Sequence, residues 1–137
     1  MQTKSFAALA LVALGQFIVG ASANSGYAGS CTNIQIYPPD GNTNYWKIAA
    51  DCKNNAGQTN LNTKININSC FSNSNGVLVA QLNGSFGSSC TNVILTGTVL
   101  SASCRNTGGA SVNTSIDTNN VIGNANGALY CFNQGNL

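Results

Sequence analysis

The chain writes one pattern twice, and that repetition limits what it can fold into more than any other feature. Residues 61–78 read LNTKININSCFSNSNGVL and residues 112–129 read VNTSIDTNNVIGNANGAL. The two align without a gap at an offset of 51, with eight of 18 positions identical. The identities include Asn62/Asn113, Thr63/Thr114, Ile65/Ile116 and the dipeptide Asn75-Gly76/Asn126-Gly127. Upstream, Cys31-Thr32-Asn33-Ile34 matches Cys90-Thr91-Asn92-Val93, and Ile48-Ala49-Ala50-Asp51-Cys52 matches Leu100-Ser101-Ala102-Ser103-Cys104. Self-similarity at fixed spacing marks two copies of one structural unit. Repeat one spans about 31–79 and repeat two about 90–132, with a joining segment 80–89 whose Gly84 and Gly87 read as a hinge. The span 31–52 is seven residues longer than 90–104, and the excess falls at the turn cluster Pro38-Pro39-Asp40-Gly41.

Within each repeat the periods are those of strands. Segment 90–104 alternates around Thr96-Gly97, which predicts a hairpin with the cysteines at its open end. Trp46, Ile48 and Ala50 share one strand face and Lys47, Ala49 and Asp51 the other. Val77-Leu78-Val79 and Leu129-Tyr130 each follow Asn-Gly, the strongest short hairpin signal. Residues 68–74 fit a helical turn or a loop equally well. The fold class is mainly β.

All six cysteines, Cys31, Cys52, Cys70, Cys90, Cys104 and Cys131, follow an N-terminal segment that has Lys4, an uncharged apolar run of about 14 residues and Ala21-Ser22-Ala23. This is the pattern of a secretory signal peptide over residues 1–23, and the run is too short for a comfortable membrane span of roughly 20 residues. The expectation is a secreted, extracellular domain at 24–137, with three disulfides and no membrane span in the mature chain. Zinc is the competing use of cysteine, but the chain has no C-x-x-C pair and no His. Six cysteines allow 15 pairings. Cys31/Cys90 and Cys52/Cys104 are equivalent, whereas Cys70 and Cys131 align with Val121 and Ala80. Symmetry and locality favour Cys31–Cys52, Cys90–Cys104 and Cys70–Cys131; crossed symmetric pairings stay open.

Charge excludes other classes. After the signal segment the chain carries Lys47, Lys53, Lys64 and Arg105 against Asp40, Asp51 and Asp117, so no basic patch offers itself to nucleic acid. With no His and no Glu, imidazole and paired-carboxylate catalysis lack their groups, the serines lack a base, and oxidised cysteines are no nucleophiles. The chain is not expected to be an enzyme, and no cofactor or metal is implied. Asn83-Gly84-Ser85 and Asn113-Thr114-Ser115 are glycosylation sequons at Asn83 and Asn113.

From about Cys31 to Phe132 the chain resembles the cyanovirin-N homology domain. The resemblance rests on a duplicated Cys-x-Asn start, a second Cys about 14 residues on, a Ser/Thr-x-Ile-Asp/Asn step, and Asn-x-Asp-Gly-x-Leu. The last motif stands here as Asn73-Ser74-Asn75-Gly76-Val77-Leu78 and Asn124-Ala125-Asn126-Gly127-Ala128-Leu129. The resemblance implies a pseudo-twofold fold of triple-stranded sheets plus exchanged β-hairpins, each hairpin packed on the other repeat. That exchange would bring Cys131 beside Cys70. It also implies a lectin for α1,2-linked mannose on high-mannose glycans, with two sites. Site one would take Gly29, Ser30, Lys53 and Asn55 together with Asn124 and Asn126. Site two would take Ser88, Ser89, Arg105, Asn106 and Thr107 together with Asn73 and Asn75. The expected partners are mannose-type glycans or glycoproteins, and the expected state is a monomer or a domain-swapped dimer.

Plainer roles compete. Asn-Gly is first of all a turn, Arg105 fits a solvated surface charge, and Trp46, on the Ile48 face, reads as core rather than as a sugar-stacking ring. Lectin members usually have Asp where this chain has Asn75 and Asn126, which weakens the acceptor offered to sugar hydroxyls. The competing function is a secreted effector or structural protein of the same fold that acts through protein contacts and binds no sugar.

Overall fold

The computed structural model describes residues 25–132. The expected signal peptide at 1–23 lies outside the described residues. Repeat one forms β1 (Cys31–Tyr37), β2 (Lys47–Lys53), β3 (Thr59–Asn66), β4 (Phe71–Ser74) and β5 (Val77–Ala80). Repeat two forms β6 (Cys90–Thr96), β7 (Val99–Arg105), β8 (Ser111–Asp117), β9 (Gly123–Ala125) and β10 (Ala128–Tyr130). The sheets are antiparallel, in the orders β1-β2-β3 and β6-β7-β8, with hairpins β4-β5 and β9-β10.

Sequence explains the elements directly. Along β7, Leu100, Ala102 and Cys104 are buried while Val99, Ser101, Ser103 and Arg105 face outward, the period-two alternation of a half-buried strand. Asn75-Gly76 and Asn126-Gly127 turn with φ 51 and 89°, and 51 and 88°. Two consecutive positive φ values make type I′ turns, whose twist suits a two-residue hairpin. Residues 68–74, open between turn and loop, are neither throughout: a 3-10 turn at Ile67–Ser69 leads into β4.

The expected exchange is present. Hairpin β4-β5 packs on β8, and β9-β10 packs on β3. Leu78 N donates to Thr114 Oγ1 at 3.0 Å, and Asn60 Nδ2 donates to Gly127 O at 3.3 Å. The shared core holds Ile48, Ile65, Phe71, Leu78, Leu100, Ile122 and Leu129, with all six cysteines buried. The bridges are Cys31–Cys52, Cys90–Cys104 and Cys70–Cys131, with separations of 21, 14 and 61 residues.

Two features of the duplication differ from the gapless alignment. First, the alignment fails at Leu61 and Asn62. Cys104 stands opposite Val112, but Cys52 stands opposite Asn60, so β3 carries one extra residue. A β-bulge absorbs it: Asn62 takes φ 57°, its N–H bonds Asp51 Oδ1 at 2.8 Å, and Leu61 is left 73% exposed. The identity of Asn62 and Asn113 is therefore not a structural equivalence. Second, each repeat begins before its first cysteine, with 3-10 turns at Tyr27–Gly29 and Phe86–Ser88. Tyr27 and Phe86 are fully buried. Tyr27 pairs with Thr118 through a 2.8 Å hydrogen bond, and burial pushes its phenol pKa up. Ile67 stands where Thr118 stands, so the apolar Phe86 needs no such partner.

The joining segment 80–89 is stitched to repeat one: Gln81 N, Asn83 N and Ser85 N donate to Cys70 O, Ser69 O and Asn68 O at 3.0, 2.9 and 2.7 Å. The insert between β1 and β2 sits at the tip away from Cys31 and Cys52. There Asp40 accepts from Asn42 N and Thr43 N at 2.8 Å each and from Thr43 Oγ1 at 3.1 Å. Lys47 Nζ, 3.3 Å from Asp40 Oδ2, also donates to Thr43 Oγ1. Trp46, just before β2, packs partly buried against the core, in keeping with its expected core role.

The Asn42 and Thr43 amides, with Lys47 beside them, hold Asp40 well below 3.8, at about 2. A depressed native pKa means that the clamp is complete above the unfolded carboxyl's value and is lost as pH falls toward 2. The Thr43 amide resonance is expected to titrate with a midpoint near 2 and to lose that step in Asp40→Asn; a midpoint near 4 would show an unclamped insert. The Cys70–Cys131 bridge closes the longest loop, with a separation of 61 residues. The Cys70→Ala/Cys131→Ala variant should lose about 4 kcal/mol in urea unfolding, more than the roughly 3 kcal/mol for the pair Cys90→Ala/Cys104→Ala.

Candidate functional site: two equivalent clusters built from both repeats

Each cluster forms where a hairpin turn of one repeat meets the disulfide end of the other repeat's sheet. In site two, Asn73 sits on β4 and reaches across the repeat boundary. Its Nδ2 donates to Ser89 Oγ at 2.9 Å and to Arg105 O at 2.8 Å, while its Oδ1 accepts the Gly76 N–H at 2.7 Å. Asn75 Oδ1 accepts from Thr107 N at 2.9 Å and Thr107 Oγ1 at 3.0 Å. Arg105 N donates to Ser89 O at 2.9 Å, tying the strand end to the 3-10 turn.

Site one repeats these bonds, except that no side-chain donor joins the backbone N–H on Asn126 as Thr107 Oγ1 does on Asn75. Asn124 Nδ2 donates to Ser30 Oγ at 2.8 Å and Lys53 O at 2.9 Å, and its Oδ1 accepts Gly127 N at 2.8 Å. Asn126 Oδ1 accepts Asn55 N at 2.7 Å. A recess of about 170 Å³ beside it is lined by Gly29, Ser30, Thr32, Asp51, Lys53 and Thr59. Thus Ser30, Lys53, Asn55, Asn124 and Asn126 converge in one place, and Asn73, Asn75, Ser89, Arg105 and Thr107 in the other. Ser88 stands exposed at the rim, its Oγ donating to Ser85 O at 2.9 Å. Asn106 turns inward to its own loop, its Oδ1 accepting Ala110 N at 3.0 Å.

The geometry divides these side chains by role. Asn73 and Asn124 are braces, with both donors and acceptor engaged inside the protein. Asn75 and Asn126, both exposed, use their oxygens to hold the facing loops, and no hydrogen bond within the described residues engages their NH₂ groups. The tight approach is built in: a Cβ on Gly76 would meet Val112 Cγ2 at 2.9 Å. The sequence reading missed Asn54 and Asn60. Asn54 Oδ1 accepts Ala56 N and Gln58 N at 3.0 Å each, closing the loop that presents Asn55. The shared spacing Cys-x-Asn in Cys52-Lys53-Asn54 and Cys104-Arg105-Asn106 is the signal that points to it.

Among the described residues no group of His, Cys, Asp or Glu is arranged to hold a metal ion. Asp40 lies in the insert, and Asp117 at the far end of sheet two, where its Oδ1 accepts Thr98 Oγ1 at 2.7 Å. No described helix is long and apolar enough to cross a membrane.

Residues 27–130 match the model of the CVNH domain, and the chain belongs to that family. Solved structures agree. A MoCVNH3 variant in complex with (N-GlcNAc)4 superposes with a TM-score of 0.65 at 21% identity, over 78% of this chain and 97% of that one. TbCVNH of T. borchii gives 0.61 at 26% identity, over 77% and 98%. Microvirin in its mannobiose complex gives 0.61 at 23%, over 78% and 98%. Among curated proteins the chain finds no match.

The brace role is open to direct measurement. Asn73→Asp keeps an acceptor for Gly76 N but offers no donor to Arg105 O or Ser89 Oγ, so it should cost about 1–3 kcal/mol in urea unfolding. A loss under about 0.5 kcal/mol would show that water replaces both bonds.

Proposed function

We propose that the chain is a secreted, non-enzymatic lectin with two sites, and that its ligands are mannose-type glycans or glycoproteins carrying them. One observation carries the reading: hydroxyls and amides converge twice, at equivalent places beside a basic residue, in a member of a family whose microvirin is solved with mannobiose. A sugar needs such convergent polar groups on a shaped surface. Three buried disulfides favour an oxidising compartment, in keeping with the leader pattern at 1–23. Both sequon residues, Asn83 and Asn113, are exposed and open to glycosylation. The contacts of the exchanged hairpins are the same within one chain or between two, so a swapped dimer competes with the monomer.

Each site is shallow and solvated, so a single contact set gains little over water. Affinity would come from engaging both sites, or a dimer, on one branched glycan. Asn75→Asp leaves one oxygen for Thr107 and turns a charged one toward the sugar. It should tighten mannobiose binding several-fold at site two, because a carboxylate accepts hydroxyl hydrogens more strongly than an amide. Calorimetric titration of wild type and variant decides this. No heat and no amide shift at millimolar mannobiose would remove the lectin reading and leave the protein-contact effector.

A further inference from the structure

Site two carries a cation that nothing neutralises. Arg105 ends β7 on the outer face of its sheet, exposed, and the only ion pair among the described residues is Lys47–Asp40. Asp117 stands opposite Val99, six residues along β7 and about 20 Å from Arg105 at 3.4 Å per residue. The acceptors around Arg105 are also engaged: Asn75 Oδ1 by Thr107, Asn73 Oδ1 by Gly76 N, Asn106 Oδ1 by Ala110 N. What remains outward is rich in donors: a guanidinium with five N–H, the Asn75 NH₂ and the Ser89 hydroxyl hydrogen.

Site one differs in its charge balance. Lys53 takes the place of Arg105, but Asp51 lines the same recess. Cys31-Cys52 and Cys90-Cys104 set the register, and in it Asp51 faces Thr32 where Ser103 faces Thr91. A carboxylate therefore lines the recess of site one together with its cation, whereas a serine stands at the equivalent place in site two.

We propose that site two selects sugars bearing an anionic substituent (a carboxylate, a sulfate ester or a phosphate ester on the pyranose) and that site one does not. This rests on the lectin reading above. A neutral sugar hydroxyl asks for acceptors as well as donors, and site two has bonded its amide oxygens internally, which leaves only hydroxyl oxygens as its side-chain acceptors. An oxyanion accepts only, and a guanidinium meets it with two parallel N–H bonds.

Monosaccharides isolate the single group: mannose against mannose 6-phosphate, mannose 6-sulfate and mannuronic acid, titrated by amide shifts at low and at 0.5 M salt. The expected result is about tenfold tighter binding of at least one acidic sugar than of mannose, with shifts at Ser89, Arg105 and Thr107, and a gain that shrinks in salt. Which acid gains most separates phosphate, sulfate and carboxylate. Arg105→Gln and Ser103→Asp should each erase the difference. Lys64→Gln, which removes a charge away from both sites, should keep it. Equal affinity for neutral and acidic sugars overturns the proposal. So does a gain that Lys64→Gln abolishes as fully as Arg105→Gln, or inorganic phosphate binding as tightly as the phosphosugar. Equal binding of all four sugars removes only the charge selectivity; no binding of any removes the lectin reading with it.

Discussion

Each hairpin packs on the third strand of the other repeat's sheet, and most of the molecule depends on that exchange. A single repeat of about 50 residues buries only a small core of its own. Crossing the hairpins joins two half-cores into one, and Cys70–Cys131 locks the crossing covalently. The same crossing makes the sites. Asn73 belongs to repeat one yet bonds Ser89 and Arg105 of repeat two, and Asn124 does the reverse with Ser30 and Lys53. Neither site can form before the exchange is complete, so folding and site assembly are one event.

Much of this was legible in the sequence because it is carried by residues with strong local meaning. Asn-Gly at two matching places announced both hairpins, and the unequal distribution of cysteines singled out Cys70 and Cys131. The convergence of the site residues was legible only through the family resemblance, since no local rule places Asn73 beside Arg105. The bulge at Leu61 and Asn62 was hidden for a specific reason: a chance identity, Asn62 with Asn113, kept the alignment gapless where the backbone needed one more residue. Strand β4 was hidden because Phe71-Ser72-Asn73-Ser74 has no apolar alternation; its inner face is polar where it meets the site. The turns bearing Tyr27 and Phe86 precede the cysteines at which the sequence match begins each repeat, although Ser30-Cys31-Thr32-Asn33 and Ser89-Cys90-Thr91-Asn92 match there too.

The abundance of asparagine has a physical logic in a chain with so few charges. An amide supplies acceptor and donor from one group, and it tolerates positive φ better than most residues. Both properties are used. Asn33, Asn62, Asn75, Asn83, Asn92 and Asn126 all have positive φ, at bulges and turns that aspartate could also fill. Asn73 and Asn124, however, must donate to backbone carbonyls, and there aspartate cannot substitute. The choice of amide over acid thus follows from the direction of the hydrogen bond.

Duplication constrains the two faces of the sheets unequally. Inward positions must fit the partner repeat, so Ile48 and Leu100, or Ile65 and Ile116, stay apolar. Outward positions answer to no such demand. In repeat one, Tyr37, Gln35, Asn33 and Asp51 form a chain of side-chain hydrogen bonds across the outer face, at 2.7, 3.0 and 3.4 Å. Thr96, Ile94, Asn92 and Ser103 occupy the equivalent places in repeat two and form no such chain. The difference reaches the sites because the last outward residue of each middle strand, Lys53 or Arg105, is also a site residue. A fold that is symmetric where it must pack therefore presents two sites with different charge environments. Selectivity can diverge between them without any change in the core that holds them.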